Sequence, residues 1–166
     1  MKPDFSPPRY TRTPFPPYRY LPFQPGIPHP RNDPAGHSYG AEEEYLPPFA
    51  AADWSTCRPY LYGVDLFNHG YWWEAHEAWE AVWQAAGTRS EAGLFLQGLI
   101  QVAGAQLKRH MGETRGAQLL TESGVARLGA IRGTFLGIEV APFVTVIERC
   151  LRENRDEYPR IELHFD

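Results

Sequence analysis

The residues best suited to chemistry in this chain are His76, Glu77 and Glu80, which lie in a tryptophan-rich stretch. Residues 72–83 hold four of the five tryptophans. On a helix, the i, i+4 spacing places His76 and Glu80 one turn apart. An imidazole and carboxylates in this arrangement could exchange protons with a substrate or bind a divalent metal. The pattern His-Glu-x-x-Glu differs from the zinc-protease spacing His-Glu-x-x-His because Glu80 replaces the second histidine.

A second set of polar residues lies on a helix further along the chain. Gln106 and His110 fall one turn apart among its apolar residues, and Gln97 and Gln101 occupy its other face. Buried polar groups need hydrogen-bonding partners. If the apolar faces of the two helices pack together, we expect His76 and Glu80 to meet Gln106 or His110 in one buried polar cluster.

Three interpretations of this cluster are open. The first is a structural network in which a carboxylate orients an imidazole and an amide completes the set. The second is a metal site, with candidate ligands His76, Glu80, His110, His29 and His37. The third is acid–base catalysis or small-ligand binding by His76 with Glu77 or Glu80, in a pocket with tryptophan walls. The candidate binding residues are Trp73, Gln97, Gln101, Gln106 and His110.

The elements that position these residues are predicted from apolar periodicity and from helix stop signals. The predicted helices are a short one that Asp65 caps and Gly70 ends, then 71–86, 91–111, 114–131 and 140–151. The run Thr88-Arg-Ser-Glu91 reads as a capping box for the third of these helices. Gly98 and Gly104 would let another segment approach that helix closely.

The face of helix 71–86 that should be buried is an arc of mainly aromatic residues and alanines. It contains Trp72, His76, Trp79 and Trp83, whereas Glu74 is expected to point to solvent.

The first 50 residues form a proline-rich arm, because 13 of the 16 prolines precede residue 49. Prolines remove backbone donors and prevent regular helix or sheet, so the arm should be extended. Its many aromatic rings favour docking on the helical body over a disordered tail. Residues 1–40 carry five basic and two acidic residues, and the remaining chain carries 11 and 18. This charge difference would draw the arm onto its own body or onto a neighbouring subunit.

Composition restricts the classes of function. The acidic body would repel phosphates, so we expect no nucleic-acid partner. No stretch is apolar enough to cross a membrane, and the arm lacks the apolar core of a signal peptide. Cys57 and Cys150 suggest two reduced thiols, and the expected location is the cytoplasm. No phosphate loop occurs, and neither cysteine has an obvious histidine partner.

Two linked motifs resemble a known family. The run from Phe67 to Trp83 with its Glu74-Ala-His-Glu77-x-x-Glu80 centre, and the run Phe95-Leu-Gln-Gly-Leu-Ile-Gln101, are similar to the family called domain of unknown function 309. The resemblance covers roughly residues 62–125 and implies a small all-α bundle without an established activity. It also marks the matching His76, Glu77, Glu80, Gln97 and Gln101 as residues to test.

The predicted architecture is therefore an all-α bundle of about five helices over residues 51–153, preceded by the extended arm 1–50 and followed by an extended tail 154–166. The preferred function is a non-catalytic binding or self-association module with a buried His/Glu/Gln cluster, in which the arm could join subunits. No cofactor is expected. The alternative is a hydrolase that uses His76 with Glu77 or Glu80, with or without a divalent metal.

Overall fold

The structure, a computed structural model, describes residues 6–153 and 157–166. Residues 1–5 of the predicted arm and 154–156 of the predicted tail lie outside them. The elements in chain order are a 3-10 helix Ala51–Thr56, α1 Arg58–Asn68, α2 Trp72–Ala86, α3 Glu91–His110, α4 Thr114–Gly129, β1 Thr134–Phe135, β2 Ile138–Glu139 and α5 Val140–Glu153. The prediction of an all-α bundle is confirmed.

Helices α2 to α5 begin and end within two residues of their predicted limits. Glycines in the left-handed conformation end α2 and precede it, with φ of +83° at Gly87 and +81° at Gly70. The cap of α3 differs from the predicted capping box. Ser90, not Thr88, is the N-cap, and its Oγ accepts a hydrogen bond from the amide of Gly93 at 3.0 Å. A serine directly before the first helical residue reaches that amide, which Thr88 in the preceding turn does not.

Helix α1 begins earlier than predicted. It starts at Arg58 with Pro59 in its first turn, a position where the missing N–H of proline costs nothing. Asp65 therefore lies inside the helix, is 0% exposed, and does not cap it. The prediction that Asp65 caps this helix is wrong, because the helix runs a further two turns toward the N-terminus.

Helix α3 lies between α2 and α4 and contributes much of the core. The contact with α4 is close because glycines face each other: a Cβ at Gly124 would lie 3.1 Å from the carbonyl oxygen of Gly98. A Cβ at Gly104 would lie 3.3 Å from Leu120. The expectation that Gly98 and Gly104 permit a close approach is confirmed, and α4 is the approaching segment.

A small hairpin, absent from the predicted elements, connects α4 to α5. Strands β1 and β2 pair antiparallel, with Thr134 opposite Glu139 and Phe135 opposite Ile138. Leu136 and Gly137 form the turn with φ of +47° and +77°. A two-residue hairpin turn of type I′ requires positive φ at both positions, and a leucine gives little sign of this in a sequence.

In the described part of the tail, burial alternates along the chain: Ile161 and Leu163 are buried and their neighbours are exposed. Asn68 at the end of α1 holds the tail in register, because its Nδ2 donates to the carbonyl of Ile161 at 2.8 Å and its Oδ1 accepts from the same residue's amide at 2.7 Å.

The arm docks on its own body through Asp65. The carboxylate accepts hydrogen bonds from the amides of Tyr10 at 2.7 Å and Thr11 at 2.9 Å, and from the Thr11 hydroxyl at 2.6 Å. Arg9 adds an ion pair at 3.1 Å. The docking that the arm's composition favours thus occurs within one chain.

Within the described residues, each helix is either too short or too polar to cross a lipid bilayer.

We expect Asp65→Asn to lower the free energy of unfolding by about 3 kcal/mol, because an amide replaces one of the acceptor oxygens with a donor that faces the arm's own donors. Chemical denaturation measures the loss, and amide exchange at Tyr10 and Thr11 should accelerate. Asp53→Asn, an exposed acid of the 3-10 helix, serves as the matched control and should change stability by less than about 0.5 kcal/mol. Equal stability of Asp65→Asn and wild type would contradict the role of this carboxylate.

Candidate functional site

A second buried carboxylate on the body, Glu74, also holds the arm. Its side chain is 5% exposed, and its Oε1 accepts hydrogen bonds from the amide of Tyr20 at 2.6 Å and from Nε2 of His37 at 3.2 Å. Among the described residues, its Oε2 has no hydrogen-bond partner. The prediction that Glu74 points to solvent is wrong, because the arm covers this side of α2 and replaces water there.

The environment of Glu74 alters its acidity. Burial raises the pKa of Glu74 above its ordinary value of 4.5, because a charged carboxylate is poorly solvated there. The hydrogen bonds from the Tyr20 amide and from His37 stabilise the carboxylate and offset part of that rise.

His37 also contacts the neighbouring serine, so that three side chains form a hydrogen-bonded chain. Nδ1 of His37 lies 2.8 Å from the hydroxyl oxygen of Ser38, and Nε2 lies 3.2 Å from Glu74. One tautomer satisfies both bonds: Nε2–H donates to Glu74, and Nδ1 accepts from the Ser38 hydroxyl. His37 is 4% exposed, whereas Ser38 is half-buried.

Trp73, a predicted binding residue, lies under a cluster of arm rings. Tyr20 packs edge-on against it with ring centres 5.2 Å apart, and His29 and His37 approach at 5.7 and 6.4 Å. His29 also closes a turn, because its Nδ1 accepts from the amides of Arg31 and Asn32 at 3.2 Å each. Both arm histidines therefore pack against α2, but they contact Trp73 and Glu74 rather than His76.

His76, Glu77 and Glu80 lie together at the edge of this covered surface. Nδ1 of His76 is 3.6 Å from Glu77, and Nε2 is 3.6 Å from Glu80. The side chains of His76 and Glu80 are 34% and 42% exposed, so the prediction of a buried His76 is wrong. The arc of buried residues on α2 is shifted toward Glu74, because the arm adds a second covered side to the helix.

A divalent cation could find ligands here. One ligand atom from each of His76, Glu77 and Glu80 lies within 4.8 Å of the others. Arg31 of the arm, however, forms an ion pair with Glu77 at 3.1 Å and so competes with a cation for that carboxylate. Nδ1 of His76 faces Glu77, whereas Nε2 faces Glu80. A cation bound to one of these nitrogens could therefore bind both carboxylates only if one of them moved toward that nitrogen.

The predicted buried cluster of His76 and Glu80 with Gln106 or His110 does not form. Gln106 is buried and accepts a hydrogen bond from Arg109 at 3.0 Å. His110 is exposed and lies 3.1 Å from the hydroxyl of Tyr158 in the tail, with its ring 5.4 Å from Trp72. The described tail thus contacts the polar C-terminal end of α3, where the prediction had placed side chains of α2.

Gln97 and Gln101 are both half-buried on α3. Oε1 of Gln101 is buried and has no hydrogen-bond partner within the described residues. Neither glutamine is brought into contact with His76 by a hydrogen bond that the structure describes.

An open cleft of about 890 Å³ lies between the arm and helices α1 and α2, and we call it the arm cleft. It is lined by arm residues 13–17, 29, 31, 37, 38 and 41–45, and by helix residues 58, 59, 62, 66, 73, 74, 77, 78, 80, 81 and 84. Six glutamates and two arginines line it: Glu42, Glu43, Glu44, Glu74, Glu77, Glu80, Arg31 and Arg58. Its volume is within the range of small-ligand sites.

The site residues that sequence reasoning missed are Asp65, Glu74, Arg31 and Ser38. The charge difference between arm and body was a sequence signal for Asp65 and Glu74, because a basic arm favours contact with acidic residues. Nothing in the local pattern distinguishes Glu74 from Glu77 or Glu80, because only the position of the arm decides which carboxylate is covered.

Both motifs at this site point to one family. Residues 60–120 match the family described as domain of unknown function (DUF309). The match confirms the resemblance that the paired motifs indicate. The DUF309 match spans α1 from Tyr60, α2, α3 and the first part of α4, and it includes Asp65, Glu74 and His76. The arm lies outside it. No curated protein matches the chain.

The raised pKa of Glu74 predicts a pH-dependent stability. The protonated acid is favoured in the folded chain, so its contribution to the free energy of unfolding is fully present below about pH 4.5 and is lost as pH rises through the folded-state pKa. Glu74→Gln keeps the Oε1 acceptor and removes the titration. We therefore expect the stability of wild type, relative to this variant, to fall in urea denaturation as the pH rises above about 4.5.

Glu44→Gln, which alters an exposed carboxylate of the arm, is the control and should give a flat difference. Measuring the effect of Glu74→Gln on stability in a His37→Gln background separates the contribution of the carboxylate from that of the imidazole that faces it. A wild-type-to-Glu74→Gln difference that does not change with pH would contradict the raised pKa.

Proposed function

We propose that the domain is a binding module whose α1–α2 face recognises a basic, proline- and aromatic-rich segment. In this chain the arm supplies that segment. The observation that carries the proposal is the pair of buried carboxylates, Asp65 and Glu74, that accept backbone N–H groups of the arm. Acids on a solvent-exposed helix face are hydrated. Asp65 and Glu74 are buried instead, and their hydrogen-bond donors come from another segment of the chain.

The arm follows the face in a fixed register, with a contact every few residues. Between the Asp65 and Glu74 contacts, the hydroxyl of Tyr62 donates to the carbonyl of Pro14 at 2.8 Å, and the ring of Phe15 stacks on Tyr71 with centres 5.0 Å apart. Beyond Glu74, Arg31 pairs with Glu77. Prolines between these contacts limit the conformations of the free segment, which lowers the entropy lost on binding.

The chemistry of these contacts defines the segment that the face would accept. It needs three free backbone amides, two that reach Asp65 and one that reaches Glu74. It also needs arginines for Asp65 and Glu77, and aromatic rings for Tyr71 and Trp73. The arm contacts its own chain, so we assign recognition to the α1–α2 face. Self-association through the arm would then be an exchange of arms, in which each of two chains binds the arm of the other.

A synthetic peptide of residues 6–40, carrying a fluorophore, tests this proposal on the full chain. The variant Thr11→Pro/Tyr20→Pro removes an N–H donor to each buried carboxylate and should release the arm. We expect the peptide to bind this variant at least about tenfold more tightly than wild type, because the wild-type arm occupies the face. Fluorescence anisotropy measures both affinities.

The same peptide with proline at positions 11 and 20 is the matched control and should not bind. Size-exclusion chromatography with light scattering then shows whether wild type exchanges arms at high concentration. Equal binding of the native and the proline-substituted peptide would refute recognition by the two carboxylates.

The second candidate is a metal-dependent or acid–base hydrolase, which the grouping of His76, Glu77 and Glu80 favours. If these residues bind a divalent cation, Arg31→Gln should tighten zinc or manganese binding several-fold by removing a competing charge, and Glu80→Gln should weaken it. Titration calorimetry measures these affinities, with Glu122→Gln on α4 as the control. Identical zinc affinities in wild type, Arg31→Gln and Glu80→Gln would remove this candidate.

A further inference from the structure

The hydrogen-bonded chain of Ser38, His37 and Glu74 lies in the arm cleft and has the connectivity of a hydrolytic triad. The hydroxyl of Ser38 is 2.8 Å from Nδ1 of His37, and Nε2 of His37 is 3.2 Å from Glu74. All three residues line the cleft, where the Ser38 hydroxyl is half-buried and the side chains of His37 and Glu74 are almost completely covered. Triads are recognised by this geometry and by the role of each member, not by their order along the chain.

Each member has the property that its role demands. The half-buried hydroxyl of Ser38 can meet a substrate in the open cleft. The imidazole of His37 is held in the tautomer that accepts the serine proton, because its other nitrogen donates to Glu74. The carboxylate of Glu74 is itself fixed by the amide of Tyr20 at 2.6 Å, so it holds the ring in place and stabilises the imidazolium that forms.

We propose that the arm cleft catalyses the hydrolysis of small carboxylic esters, with Ser38 as nucleophile, His37 as general base and acid, and Glu74 as the positioning residue. This activity goes beyond the proposed recognition by the α1–α2 face, and it shares Glu74 with it. The three exposed acids Glu42, Glu43 and Glu44 line the same cleft, and they favour esters that carry an ammonium group.

The reaction balances without a cofactor or co-reactant other than water. The oxygen of Ser38 attacks the ester carbonyl carbon as its proton passes to Nδ1 of His37. The tetrahedral intermediate collapses with cleavage of the bond to the alcohol oxygen, which takes the proton from His37. Water then attacks the acyl-serine, gives its proton to His37, and releases the carboxylic acid as Ser38 regains the proton.

Active-site labelling tests the nucleophile directly. A fluorophosphonate probe should attach to Ser38 of the full chain, as peptide mass mapping shows, and Ser38→Ala should abolish labelling. Ser55→Ala, which removes an exposed hydroxyl of the 3-10 helix, should be labelled like wild type. Labelling that is undiminished in Ser38→Ala, or no labelling of folded wild type at all, overturns the proposal.

Hydrolysis assays test the other two members and the substrate class. The p-nitrophenyl ester of Nα-acetyl-lysine should be cleaved faster than its isosteric norleucine analogue, and His37→Gln should lower kcat/KM for the lysine ester by at least about a hundredfold. Glu74→Gln should lower kcat for the lysine ester with little change in KM, a split that a purely structural carboxylate would not cause. Equal rates in wild type and His37→Gln overturn the role of the base.

Amide exchange at Tyr20 verifies that the arm stays docked in each variant, so that loss of activity is not loss of the site. Ser38→Cys offers a second readout if the hydroxyl variant unfolds the arm. Its alkylation by iodoacetamide should be faster in the presence of His37 than in Ser38→Cys/His37→Gln, and equal rates would overturn activation by this imidazole.

Discussion

The structure depends on two carboxylates that cannot reach water. Asp65 on α1 and Glu74 on α2 are buried, and each would destabilise the fold if its oxygens lacked donors. The arm supplies those donors from backbone amides that its prolines leave unused, because a segment interrupted by proline cannot spend them on a helix or sheet of its own. The order of the arm and the burial of the acids therefore require each other.

The candidate site therefore forms where two different parts of the chain meet. The segment that matches DUF309 contributes Trp73, Glu74 and His76 with its two neighbouring glutamates. The arm, which lies outside that segment, contributes Ser38, His37 and Arg31. The arm also divides the acids of α2 into three kinds. Glu74 is covered and holds the arm, Glu77 is neutralised by Arg31, and Glu80 stays partly exposed beside His76. Two turns of α2 thus present three carboxylates with different electrostatic environments.

The limits of α2 to α5 were predictable because apolar periodicity and stop glycines are local properties of a helix. The buried face of α2 was predictable only in part, since Trp72, Ala75, Trp79 and Val82 pack in the core as expected. A helical wheel assumes that one side of a helix is covered. On α2 the arm covers a second side, so Glu74 is buried and His76 lies at an edge.

By itself, the sequence determined the all-α class, the order of the helices and the resemblance of residues 60–120 to the DUF309 family, because each follows from periodicity or paired motifs along the chain. Only the tertiary structure decided which polar residues meet. It separated His76 from Gln106 and His110, and it joined His37, with its neighbour Ser38, to Glu74 across 37 positions. Contacts between distant segments depend on how surfaces pack, and local patterns carry no record of that packing.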